Sequence, residues 1–145
     1  MLFFFKKIIL TALFFITLLT IANTCSTVNY KQASRLDQKE EFTSSFKAFI
    51  QLKKSGCPKA IYYLGKYHAY GFGINININK AIYYYHTFLN TSIKYQLRPN
   101  RIYSYQTMVM LYLKKKDYLM AKICLIKLLR MGECHTSIEK IFAKY

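Results

Sequence analysis

The sequence predicts an all-α fold, a short α-solenoid of antiparallel helix pairs that follows an apolar amino-terminal segment. Three observations carry this prediction. Apolar and aromatic side chains recur at three- and four-residue steps through much of residues 40–145, the period of helices with one buried face. Only 5 Gly and 2 Pro occur in 145 residues, and most stand where such helices would begin or end. Residues 56–89 and 102–135 each read as one helix–turn–helix. A helix pair cannot cover its own apolar face, so stacked pairs are the stable arrangement.

Residues 1–24 read as a signal peptide or an amino-terminal membrane anchor. Met1–Lys7 ends in two lysines, and Ile8–Ala22 is uncharged, the order of a secretory leader. As a helix that run spans roughly 22 Å, short of the ~30 Å hydrocarbon core. Leu2–Phe5 can lengthen it, so both cleavage and retention are open. Cys25 follows the apolar run directly, as in a bacterial lipoprotein signal, where that cysteine is lipidated. Ordinary cleavage after Thr24 or Ser26 is the other reading.

Residues 25–39 are expected to be a linker or degenerate helix, poorly patterned near Tyr30–Leu36. In Glu40–Lys54, Ser45, Phe49 and Leu52, followed by Ser55-Gly56, match the second helix of a degenerate first unit. Pro58 suits a first helical turn, and Ala60, Ile61, Leu64, Gly65 and His68 line one face of a helix over Pro58–Tyr70. Gly71 and Gly73 end it. Ile74–Ile78 alternates as a strand would, but a lone strand has no partner, so a loop is expected. Asn79 is the expected cap of a helix over Lys80–Leu89 that buries Ala81, Tyr84, Tyr85 and Phe88. Asn90–Arg101 reads as the longest linker. In residues 102–135, Tyr105, Met108, Val109, Tyr112, Ala121, Leu125 and Leu128 hold core positions around a turn at Lys116-Asp117-Tyr118. Residues 136–145 carry an apolar stripe, Ile138, Ile141, Phe142 and Tyr145, that fits a capping helix.

The string Ala60-x3-Leu64-Gly65-x2-His68-x2-Gly71-x-Gly73-Ile74-x5-Lys80-Ala81-x2-Tyr84 resembles a Sel-one-like repeat (SLR), a relative of the tetratricopeptide repeat. His68 stands where Tyr is usual, and Asn77 where Asp is usual. Residues 102–135 are similar to the shorter tetratricopeptide unit. Leu64 and Ala81 stand farther apart than Met108 and Ala121 by four positions, the longer loop of the SLR. The resemblance implies paired helices A and B, with helix A residues lining a peptide groove. Carried onto this sequence, those residues are Lys59, Tyr62, Lys66, Ala69 and Tyr70, then Tyr103, Gln106, Met110, Leu113 and Lys114. Some secreted SLR proteins also staple helix B to the next helix A with a disulfide. Cys124 and Cys134 lie where that staple would sit, while Cys57 meets Ala48 at the matching offset.

With 22 Lys+Arg against 6 Asp+Glu, the net charge is +16, which favours anionic partners. Lysine far outnumbers arginine, and Ile, Asn, Tyr and Phe are abundant, as in proteins of AT-rich genomes, so charge alone names no partner. Catalysis finds little support. Glu40 and Glu41 are adjacent and point apart on a helix, and no phosphate loop, nucleophile elbow or metal helix occurs. Gly71-x-Gly73 reads as a repeat loop. Cys134-His135 lacks a second ligand pair. No catalytic residue, cofactor or metal is expected.

With the leader, the resemblance implies an exported, membrane-anchored, non-enzymatic adaptor of the cell envelope, periplasmic or lipoprotein-like; periodicity alone gives only paired helices. Its partner would be a protein or an acidic or carboxyl-terminal peptide. Lysines supply point charges for carboxylates, and tyrosines supply contact area at low entropic cost. Two alternatives stand beside it. One is a basic binder of lipid headgroups or nucleic acid using Lys114-Lys115-Lys116, although a leader argues against nucleic acid. The other is a β-lactam or cell-wall hydrolase of the secreted SLR type, for which no nucleophile is evident.

Overall fold

A computed structural model describes residue 25 and residues 27–91 and 97–132. The leader and the expected capping helix lie outside the described residues. Among the described residues six helices follow one another: α1 (Thr27–Gln38), α2 (Phe42–Lys54), α3 (Pro58–Tyr70), α4 (Ile78–Leu89), α5 (Arg98–Lys114) and α6 (Tyr118–Arg130). There is no strand among the described residues. Each helix packs against its successor in the chain, and α3 also packs against α5.

Chain reversals explain much of this order. At the end of α1, Glu41 N donates to Leu36 O at 3.0 Å and Glu40 N to Asp37 O at 3.1 Å. The same pair of bonds ends α2, from Cys57 and Gly56 to Leu52 and Lys53, and α5, from Asp117 and Lys116 to Tyr112 and Leu113. This double closure satisfies carbonyls the helix leaves free and turns the chain back at once. Glu40 and Lys116 hold φ of 61° and 58° there, a conformation uncommon for residues with a Cβ.

The link from α3 to α4 is different. It runs over residues 71–77, four residues longer than the link over 115–117 between α5 and α6, as the Leu64–Ala81 spacing implies. Asn77 N donates to His68 O at 2.8 Å, folding the loop back on α3. Gly73 has φ of 65°, and a Cβ there would lie 2.9 Å from Phe42 Cβ and Thr43 N. This glycine therefore lets the loop rest on the first turn of α2. Asn77, not Asn79, caps α4, its Oδ1 accepting from Lys80 N at 2.9 Å. The alternating Ile-Asn run offers several asparagines of equal propensity, and the one in extended backbone before the first turn takes the role.

Two further boundaries differ from expectation. Residues 27–38 form a regular helix, although among residues 29–38 Ala33 is the one fully buried hydrophobic residue. Arg98-Pro99-Asn100 form the first turn of α5 rather than the end of a linker, by the same tolerance for Pro that starts α3. Arg101 is buried, and its Nη1 donates to Leu89 O at 2.8 Å, closing the carboxyl end of α4.

The interior has two parts. Ala33, Phe49, Leu52, Cys57, Ala60, Leu64 and Tyr67 form one cluster among α1, α2 and α3. Tyr62, Ala69, Ala81, Tyr85, Phe88, Met108, Val109 and Leu128 belong to a larger one reaching from α3 to α6. Ser45 Oγ donates to Ala33 O at 2.9 Å and ties α1 to α2 without an unpaired hydroxyl. Phe49 and Tyr63 stack at 4.3 Å.

Candidate functional site

The expected groove residues lie on α3 and α5, which touch. On α5, Tyr103, Thr107, Met110 and Lys114 recur at four, three and four residues and share one face. The structure divides the expected set into three groups.

The first group is core. Tyr62 is buried and lies against the rings of Tyr85, Phe88 and Tyr103 at 6.2, 5.6 and 5.9 Å. Burial pushes its pKa up to about 12. Ala69, two turns further along α3, is buried in the same cluster. Neither side chain can meet a ligand without displacing the interior, which corrects the expectation that they line a groove.

The second group is already engaged. Lys66 Nζ pairs with Asp37 Oδ2 of α1 at 3.3 Å. The same carboxylate accepts a hydrogen bond from Tyr67 Oη at 2.7 Å. Lys66 also lies 5.2 Å from the Phe72 ring, and Lys59 lies 5.0 Å from the Tyr30 ring. Both lysines therefore hold α1 against α3, and the carboxylate that Lys66 meets is supplied by this chain.

The third group is open. Tyr70 is 38% exposed, stacks on Phe72 at 5.7 Å and approaches Tyr103 at 6.5 Å. Its hydroxyl lies 3.4 Å from Thr107 Oγ1. Burial, then the hydrogen bond with Tyr70, drives the Tyr103 hydroxyl far above its ordinary pKa, so it stays a neutral donor. Gln106, Met110 and Leu113 are half-buried, and Lys114 is exposed. Phe72 belongs to this ledge through its stacking on Tyr70; lying in a loop between two glycines, it carries no periodic signal in the sequence. No three His, Cys, Asp or Glu side chains converge among the described residues.

No family model, curated protein or solved structure matches the chain. The likeness to SLR proteins therefore rests on the motif residues themselves. Among those residues Ala60, Leu64 and Ala81 are fully buried, and Gly65 faces the Tyr85 ring.

The cysteines depart from expectation. Cys25 is bonded to Cys57, with Cα atoms 4.5 Å apart, within the span a disulfide needs. A thioether to lipid would use the same Sγ, so this bridge and lipidation of Cys25 exclude each other. Cys57 precedes α3 directly and Cys25 stands just before α1. The bridge therefore joins the starts of α1 and α3, 32 residues apart, whereas the staple that the resemblance implies runs from helix B to the next helix A. Cys124 is a buried free thiol, its pKa pushed up to about 11 by burial, and its expected partner Cys134 lies outside the described residues.

A cleft of about 210 Å³ opens between α1 and α2, lined by Asn29, Gln32, Leu36, Ala48, Gln51, Leu52 and Ser55. It is smaller than common small-molecule sites and carries no charged side chain.

Proposed function

We propose that the chain is a short α-solenoid of SLR-like and tetratricopeptide-like helix pairs, a non-enzymatic interaction module exported to the cell envelope. It docks an acidic or carboxyl-terminal partner segment on the ledge formed by α3, α5 and Phe72. The observation that carries this reading is Tyr70, exposed at the α3–α5 contact with its ring on Phe72 and its hydroxyl beside Thr107. A large amphipathic side chain held from both sides gives contact area with little ordering cost. Lys114, at the far end of the same α5 face, supplies a cation for a carboxylate. Lys59 and Lys66 shape the site by fixing α1 and leave ligand charge to Lys114. The Cys25–Cys57 bridge supports export, since disulfides persist in oxidising compartments.

Fluorescence anisotropy with acidic peptides, each with a free or an amidated carboxyl terminus, tests this. Tyr70→Ala combined with Lys114→Glu is expected to weaken the selected peptide about tenfold or more, a loss of about 1.4 kcal/mol, with helicity unchanged. Equal affinity of the double variant, or indifference to both peptide charge and terminus, would remove the ledge as the site.

A further inference from the structure

α6 turns Ala121, Cys124 and Leu128 inward and leaves a second kind of surface outside. Leu119 is 70% exposed and Tyr118 67%, and Ile123, Ile126 and Leu129 are each more than one-third exposed. Leu119, Ile123 and Ile126 follow at four- and three-residue steps, so they form one stripe. Lys122, Lys127 and Arg130 are exposed along it, and α6 contains no acidic residue. The acid just before it, Asp117, is used as the cap, accepting from Met120 N at 3.1 Å. Lys115 and Lys116 stand exposed at the same end of the helix.

We infer that this face of α6 lies in the headgroup region of an anionic lipid bilayer. Aliphatic side chains on a convex helix gain little from nucleic acid, whose surface is phosphate and base edge. A second copy of the face would bring cations against cations with no carboxylate between them. An anionic bilayer answers both chemistries at once: the aliphatic stripe enters the acyl boundary, and lysine and arginine stems bend outward to lipid phosphates. Tyr118 at the end of the stripe has the amphipathic ring that suits the interface. This surface is separate from the Tyr70 ledge, so either assignment can fail alone.

The chain has no tryptophan, so Tyr118→Trp gives a single emitter at the edge of the face. An apolar leader can tether the chain to any vesicle, so the reading is taken at position 118 and not from sedimentation. The full-length variant is mixed with vesicles of phosphatidylcholine alone and of phosphatidylcholine with an equal part of phosphatidylglycerol. Expected on the anionic vesicles are a blue-shifted emission and quenching by bromine-bearing acyl chains, both at least several-fold weaker on the neutral ones. Adding Leu119→Glu and Ile126→Glu abolishes both signals, whereas adding Tyr70→Ala leaves them unchanged. Emission that stays water-like on anionic vesicles overturns the inference, as does an equal response on neutral ones. So does an emission already blue-shifted without lipid. A shift reversed by dilution would assign the face to a second copy, and one unaffected by dilution would assign it to this chain's own residues beyond 132. A shift produced by an acidic polypeptide, without lipid quenching, would assign it to a protein partner.

Discussion

Gly65 meets Tyr85 where α3 crosses α4, and a Cβ at position 65 would stand 2.9 Å from Tyr85 Cδ1 and Cε1. The ring cannot retreat easily, because Tyr85 is fully buried and lies against Tyr62. Gly65→Ala should therefore cost about 1–3 kcal/mol through overpacking, despite the gain in helix propensity. Urea unfolding of the variant against the parent measures it, and an unchanged midpoint would mean that the two helices have room to separate. His68 shows a different constraint. Its ring stacks on Tyr84 at 5.5 Å and meets the edge of Phe46 at 5.7 Å. Burial, and then the Lys80 ammonium, hold its pKa below the ordinary 6.5. The unfolded chain thus takes up a proton that the folded one refuses, so unfolding consumes protons and acid destabilises the fold. Stability should be level above the unfolded value, fall as pH drops through it, and level off for this group once the folded imidazole is also charged. His86, lowered by burial and by Lys127, acts in the same direction. His68→Tyr should reduce the acid slope of the thermal midpoint without removing it, and an unaltered slope would assign the effect elsewhere.

Helices α2, α3, α4 and α6 were legible because their buried residues obey the helical period: Ser45, Phe49 and Leu52 on α2, and Ala121, Cys124 and Leu128 on α6. α1 was not, because it contributes little apolar surface of its own. It is held by Ser45 Oγ, by the Asp37 contacts with Lys66 and Tyr67, and by Cys25. Those partners lie 12 to 32 residues away, outside any local window. The same gap hid the site. Tyr62 and Tyr70 are one residue type on one helix, and the position of α5 decides which is interior. Lys59 and Lys66 read as free charges while residues 25–39 read as linker. The dependence of α1 on distant ties has a measurable result. Cys25→Ser should cost about 2–4 kcal/mol through the unfolded-chain entropy that the bridge removes. Amide exchange should rise first in α1, with α5 and α6 little affected. Reductant should reproduce the loss in the parent, while exchange spread evenly over all six helices would show that α1 is not the weaker part.

Among the described residues most helix packing is between neighbours along the chain, and the exceptions, α1 with α3 and α3 with α5, all involve α3. A net charge of +16 adds repulsion that salt relieves. The two core clusters are not independent, however, because α3 serves both. Ala60, Leu64 and Tyr67 belong to the cluster with α1 and α2, whereas Tyr62 and Ala69 belong to the one reaching α6. Tyr63 packs against each. No single cut in a loop yields two pieces that both keep their interior. A break before α3 strips the amino-terminal pair of its third wall, and a break after α4 strips α3 and α4 of α5. The smallest pieces with whole interiors overlap, and α3 is what they have in common. For this chain the indivisible part is a helix with two working sides, and the repeat boundary drawn in sequence passes directly beside it.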